Sequence, residues 1–398
     1  MVEIGDLISG GPSDQWSDSG GNPEQRPAPP PILRDLAAEA DVRFNGNRPW
    51  DIQVFHPSVY QRILLQGSLG FGEAFVDGLW TAQRLDETIS RLLSRDVEKR
   101  VNRRTRLRWI SALLKNLLFN RQSRRRAFQV GERHYDIGND VYTAMLDPTI
   151  SYSCGYWARA ENLQQAQIAK LDLICHKLNL RPGLRLLDIG CGWGGLARHA
   201  AEHYGVMVDG ITVSREQLML ARERCRGLPV RLELMDYRDL KGSYDRVVSV
   251  GMFEHVGPKN YAVFFDTVDR VLKEQGIFLL HTIGEHADTA ATDPWIDKYI
   301  FPNGKLPSTG RLATAIQPHF ILEDWHSFGH DYDLTLMAWW KRFDAAWPSL
   351  QARYDESFYR MWKYYLHSCA GFFRSRQGQL WQLVLTKRPR TAIYRSLR

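Results

Sequence analysis

From about residue 128 onward the chain alternates short apolar strands with helices, and that alternation leaves few folds open. LRLLDIG (184–190), VMVDGITVS (206–214), VRLELM (230–235), YDRVVSV (244–250), GIFLLHTIG (276–284) and QLWQLVLTK (379–387) read as strands. LARHAAEHY (196–204), REQLMLARERC (215–225) and KNYAVFFDTVDRVLK (259–273) read as the helices between them. Parallel strands need long crossover connections, and helices supply them, so the pattern predicts a doubly wound, largely parallel α/β sheet. The longest apolar runs, such as IFLLH at 277–281, fall far short of the roughly 18 residues that cross a bilayer. The five cysteines (Cys154, Cys175, Cys191, Cys225, Cys369) are odd in number and scattered, none at zinc spacing. They predict a reducing compartment, and MVEIGDLISGG lacks the features of a secretory signal.

Two segments lie ahead of this pattern. Residues 1–31, rich in Gly, Ser and Pro and ending in PAPPP, predict a disordered tail. Residues 32–127 predict a small mixed unit followed by a basic linker, and 128–398 the catalytic domain. Within the small unit, DVRFNG and DIQVF read as short strands around an Asn45–Gly46 turn. SVYQRILLQGSLGFGEAFVDGLW (58–80) reads as helix, glycine-rich break, helix, with the glycines serving either tight helix packing or lipid contact. The net charge of +7 is concentrated: residues 95–126 hold twelve Lys/Arg against two acids, a local +10. Leu107, Ile110, Leu114, Leu117 and Leu118 recur there at helical spacing. Such a helix either packs its apolar stripe on the core with a solvated cationic face, or lies against an anionic surface.

The sharpest motif is LLDIGCGWGG (186–195), a strand that ends in Asp188 and enters a glycine-rich turn. Glycines there let backbone approach a ligand closely. Gly190, Gly192 and Gly195 have the GxGxxG spacing of a nicotinamide dinucleotide site, so that reading has to be weighed. S-adenosylmethionine is favoured for three reasons. Asp188 is placed to meet an ammonium, the second strand ends in ITVS without the acid that holds a dinucleotide ribose, and MDYRDL (235–240) offers Asp236 to an adenine amino group. Glu254 and His281 fall at the ends of the fourth and fifth strands, where the ligand crevice of an open α/β sheet lies.

HYDIGNDVYTAMLDPTISYSCGYW (134–157), the glycine turn, VGMFEHVGPKNY (250–261), FLLHTIG (278–284), DPWIDKYIFPNGKLPS (293–308) and YDLTLMAWW (332–340) together resemble the bacterial cyclopropane-fatty-acyl-phospholipid synthases, within the cyclopropane and mycolic acid synthase family. QGSLGFGEAFVDGLW resembles the small N-terminal domain of those enzymes, and the likeness runs in order from about 40 to 387. The resemblance implies a Rossmann-like class I methyltransferase with a seven-stranded, mostly parallel sheet. It implies methylene addition from S-adenosylmethionine across the cis double bond of acyl chains in membrane phospholipids, through a carbocation deprotonated by enzyme-bound bicarbonate. The bicarbonate ligands it implies fall on Cys154, Glu254, His281, Ile283 and Tyr332, the cysteine and isoleucine through backbone groups. For the cofactor it implies Tyr152 and Ser153 at the carboxylate, Asp188, Gly190 and Gly192 at the turn, Thr212 and Gln217 near ribose and methionine, and Asp236 and Tyr237 near adenine. Tyr332 and Tyr156 are candidates to face the transient cation. The resemblance further implies a homodimer, cytoplasmic and peripheral on the inner face of the cytoplasmic membrane. A lipid methyltransferase giving methyl-branched or methylene chains is the alternative. A nucleic-acid partner is not expected, because no RNA-binding module accompanies the basic segment.

Overall fold

A computed structural model describes residues 26–95, 138–289, 291–388 and 392–398. The predicted basic helix at 95–126 lies outside the described residues except for Arg95, as do residues 1–25 of the predicted tail. The last residues of that tail are ordered, contrary to expectation. Arg26 bonds Gln53, and the Pro27 carbonyl accepts from Tyr60 (2.6 Å) and Asn45 (3.1 Å). Proline carries no N–H but keeps its carbonyl, and two side-chain donors fix it.

The N-terminal unit contains α1 (Pro31–Glu39), β1 (Gln53–Val54), α2 (Ser58–Gln66), α3 (Ser68–Val76), β2 (Trp80–Thr81) and α4 (Leu85–Ser94), with β1 antiparallel to β2. The hairpin expected around Asn45–Gly46 does not form. Phe44 and Ile52 make an isolated parallel bridge, and β1 pairs with β2 instead. The reason is Asp51, whose buried carboxylate accepts the N–H groups of Arg43 (2.8 Å) and Arg48 (3.0 Å) and the Arg48 guanidinium. Those side-chain bonds satisfy backbone donors that a ladder would have used. The helix–glycine–helix reading matches α2 and α3. A Cβ at Gly72 would come within 2.5 Å of Trp295 and 2.8 Å of Tyr364, so this glycine serves close packing.

The rest of the described chain runs α5 (Asn139–Met145), α6 (Leu163–Lys177), β3 (Arg185–Ile189), α7 (Gly195–Tyr204), β4 (Met207–Thr212), α8 (Arg215–Arg224), β5 (Val230–Leu234), β6 (Tyr244–Val250), α9 (Tyr261–Val271), β7 (Leu272–Glu285), α10 (Pro294–Tyr299), α11 (Thr309–Ile316), β8 (Phe320–Ser327), α12 (His330–Leu350), α13 (Glu356–Arg374) and β9 (Gly378–Lys387). The seven-stranded sheet has the order β5-β4-β3-β6-β7-β9-β8. β3 to β7 are parallel, and β9 lies antiparallel between β7 and β8. One apolar cluster around Phe264, Phe265 and Phe278 and another around Ala197, Val208 and Leu279 cover the sheet's two faces. Burial on both faces is what a parallel sheet requires.

A third cluster joins the N-terminal unit to α12 and α13, with Phe75, Trp80, Trp339 and Trp362 in one continuous core. Arg374 on α13 reinforces the seam. Its guanidinium takes both oxygens of Asp333 at 2.9 Å and also bonds Asp86 on α4. Asp333 follows Tyr332 directly, so the seam reaches the helix turn that carries a predicted site residue.

Candidate active site

β3 is flanked by β4 on one side and β6 on the other, so the chain reverses direction of winding there, and a crevice opens at the strands' carboxyl ends. Gly190 and Gly192 hold φ of +90° and +53°, which L side chains rarely adopt. A Cβ at Gly190 would also sit 2.8 Å from Met252. The N–H groups of Gly190 and Cys191 both donate to the Ile211 carbonyl at 2.9 Å, which fixes the turn before α7 begins.

All nine predicted cofactor residues line this one cleft: Tyr152, Ser153, Asp188, Gly190, Gly192, Thr212, Gln217, Asp236 and Tyr237. Thr212 donates to Gln217 at 3.0 Å. The Tyr152 hydroxyl is 2.6 Å from that of Tyr365. Asp236 accepts the Arg238 N–H at 3.0 Å and its guanidinium at 2.8 Å, so both oxygens are engaged while lone pairs remain. Asp188 is 2% exposed, and burial pushes its carboxyl up to about 7 against the pull of Lys170.

The second predicted set divides into two linked groups. Glu254 lies on the turn leaving β6, and His281 and Ile283 lie on β7, where His281 is in register with Val250. Glu254 Oε1 accepts the Ile283 N–H at 2.7 Å, so the Ile283 amide, expected to face an anion, already holds the carboxylate. Glu254 Oε2 and His281 Nε2 are both buried without a partner among the described residues. Burial pushes Glu254 up to about 7, against the Ile283 bond. Burial holds His281 well below its ordinary range, with Lys170 and Lys177 adding to the effect, so its ring is neutral. Gln382 Nε2 lies 3.2 Å from His281 Nδ1, which places the ring hydrogen on Nε2.

Cys154 and Tyr332 form the other group. The YSCGYW segment is fastened to the first turns of α12: Gly155 N–H donates to Thr335 (3.0 Å) and Trp157 N–H to Asp331 (2.7 Å). Tyr332 stands one turn before Thr335 and stacks on Phe373 at 4.5 Å. Burial raises the Cys154 thiol far above its ordinary range, so it stays protonated and a poor nucleophile. Tyr156 packs edge-on against Phe328 (5.3 Å), which meets the His281 ring in the same way at 5.9 Å.

Sequence reasoning missed Lys170, Thr335 and Tyr365. Lys170 had a signal: it falls one turn after Gln167 on the buried side of α6, a charge where the helix should be apolar. Thr335 and Tyr365 had none, because their importance depends on contacts 180 and 213 residues away. Among the described residues no helix is long and apolar enough to cross a membrane.

Comparison with known proteins agrees with this geometry. Residues 122–383 match the family model for mycolic acid cyclopropane synthetase. The chain is 53% identical over 358 residues to cyclopropane-fatty-acyl-phospholipid synthase of Escherichia coli K12, covering 89% of this chain and 93% of that protein. It is 40% identical over 267 residues to a probable fatty acid methyltransferase of Pseudomonas putida, 64% of this chain and 68% of that one. Among solved structures, the cyclopropane synthase MmaA2 of Mycobacterium tuberculosis superposes with a TM-score of 0.62 at 33% identity, covering 65% of this chain and 98% of that chain. Mycolic acid cyclopropane synthase CmaA1 complexed with SAH and CTAB gives 0.61 at 34% identity, with coverage of 65% and 98%. These neighbours share the class I S-adenosylmethionine-dependent methyltransferase fold. On the family match over residues 122–383 and the identity across most of its length, the chain belongs to the mycolic acid cyclopropane synthetase family.

Proposed function

We propose that this protein transfers a methylene group from S-adenosylmethionine to the cis double bond of unsaturated acyl chains in membrane phospholipids, giving cyclopropane acyl chains. The observation that carries the reading is a pair of buried atoms without a partner among the described residues, Glu254 Oε2 on the turn leaving β6 and His281 Nε2 on β7, beside the glycine-turn cleft. One is an acceptor and the other a donor, so together they suit a small planar group with its own hydroxyl and oxygens. Buried polar atoms left alone cost about 1–3 kcal/mol each, which argues for a ligand that completes them.

S-adenosylmethionine supplies the sulfonium methyl, an electrophile strong enough for an alkene. In this reading Asp188 takes its ammonium, the glycine turn allows close approach, and Asp236 and Tyr237 take adenine. Bicarbonate supplies, when bound, the base that removes a proton from the new methyl group. Cys154, Glu254, His281 and Tyr332 are the residues that would hold it, with Ile283, whose amide binds Glu254 Oε1, steadying the carboxylate. Glu254, whose carboxyl rises to about 7, can accept a proton and keep it near neutrality. His281, neutral, can only donate from Nε2 to an oxygen. The protonated Cys154 avoids alkylation, and Tyr332, stacked on Phe373, is the aromatic ring this reading assigns to the transient cation.

The basic segment 95–126 supports peripheral association with the inner face of the cytoplasmic membrane, each cation contributing about 1 kcal/mol near an anionic leaflet. The family resemblance supports a homodimer. The test is direct: incubate the purified protein with vesicles of unsaturated phospholipid, labelled S-adenosylmethionine and bicarbonate, then analyse the lipid by mass spectrometry. A gain of one CH₂ with loss of the double bond as a ring is expected. Methyl-branched chains, or label found on RNA and none on lipid, would refute it.

A further inference from the structure

Lys170 reaches from α6 into the cofactor cleft and is 2% exposed. Among the described residues no carboxylate lies within 4.0 Å of its ammonium; its one hydrogen bond goes to Ser153 Oγ at 3.0 Å. An ammonium has three donors and no acceptor, so it must take a lone pair of the Ser153 oxygen. The serine's own hydrogen is therefore left to be donated elsewhere. Gln167, one turn earlier on α6, fixes the same residue by donating to the Ser153 carbonyl at 2.8 Å. Two buried polar residues of one helix thus converge on one serine at the edge of the cleft.

Asp188 lines the same cleft, and no hydrogen bond or ion pair of the described residues ends on its carboxylate. The cleft therefore holds one buried cation and one buried anion that do not pair with each other at contact distance. Isolated buried charges are costly and persist where a ligand completes them. The complement of such a set is a zwitterion. Attraction acts at longer range: burial lowers Lys170 to about 8 while Asp147 first, then Cys154 and Asp188, counter it, and Lys170 in turn counters the burial of Asp188.

We propose that Lys170 is a positioning residue that fixes the Ser153 hydroxyl as a donor to the carboxylate of the cofactor's amino-acid end, so that with Asp188 the cleft selects an α-amino-acid sulfonium over its decarboxylated form. This rests on the reading that the cleft takes S-adenosylmethionine. Lys170 touches the ligand only through Ser153, and its effect depends on the ligand's carboxylate, which a purely structural lysine would not sense.

The test is calorimetric binding of S-adenosylhomocysteine and of its decarboxylated analogue to the full chain, as wild type, Lys170→Met and Ser153→Ala. Wild type should prefer S-adenosylhomocysteine by tenfold or more. Both variants should lose at least tenfold for that ligand and less than twofold for the decarboxylated one. Equal weakening of both ligands, or discrimination retained in either variant, overturns the proposal. Should Lys170→Met not fold, Ser153→Ala alone decides, since the selection acts through its hydroxyl. Binding of neither ligand by folded wild type would refute the methyltransferase reading itself, and this proposal with it. Tight binding without preference would refute only the role given to Lys170.

Discussion

Glu254→Gln separates the chemistry of this site from its stability. In the folded protein the Glu254 carboxyl is pushed from its ordinary 4.5 to about 7 by burial, so the native state keeps a proton that the unfolded chain has released. Stability falls with rising pH wherever the folded state binds more protons, so the loss runs from about pH 4.5 to 7. At about 1.4 kcal/mol per pH unit, the full window amounts to about 3 kcal/mol. Glutamine has no such titration, yet its carbonyl can still accept the Ile283 N–H that Oε1 accepts at 2.7 Å. The stability of the variant relative to wild type should therefore rise by about 2–3 kcal/mol between pH 5 and pH 8, whatever the cost of the substitution itself. Urea denaturation of both proteins at the two pH values, in bicarbonate-free buffer, reads this difference, and all other titrations cancel. Turnover on lipid vesicles should fall by at least ~10²-fold, with S-adenosylhomocysteine binding nearly unchanged. A relative stability that stays constant or drops as pH rises would show that the fold stabilises the Glu254 anion, and the proton-holding role would be lost.

Three other outcomes are expected. Asp188→Asn should weaken S-adenosylhomocysteine by about tenfold or more, since a hydrogen bond to a charged group is worth about 1.5–3 kcal/mol; calorimetry at fixed pH checks it. Arg374→Met leaves the buried Asp86 and Asp333 without their shared cation, and should cost about 3–5 kcal/mol in thermal or denaturant unfolding. Neutralising Arg103, Arg104, Arg106 and Arg108 should weaken sedimentation with anionic vesicles, and the loss should shrink as salt rises; binding indifferent to both changes would count against a membrane-surface role.

The strands and helices that build the parallel half of the sheet were legible because their signals are local. A buried strand, a glycine turn at positive φ and an amphipathic helix each declare themselves within about fifteen residues. LLDIGCGWGG placed Asp188, Gly190 and Gly192 at the crevice for that reason, and they line it. The expected hairpin at 41–55 went astray because one buried carboxylate, Asp51, captured backbone donors that alternation alone assigns to a ladder. The five positions implied for bicarbonate were readable only through family resemblance, since no spacing rule connects residue 154 with residue 332.

The amino-acid order by itself determined the doubly wound fold and the cofactor-type turn, because short-range periodicity and glycine stereochemistry decide both. Only the tertiary structure decided which polar groups are left buried and unmatched. The bond from Ile283 to Glu254 and, among the described residues, a His281 Nε2 without a partner and a Lys170 bonded to Ser153 and to no carboxylate arise where separate strands and helices meet. Desolvation is a property of that meeting, and desolvation is what turns ordinary side chains into a site.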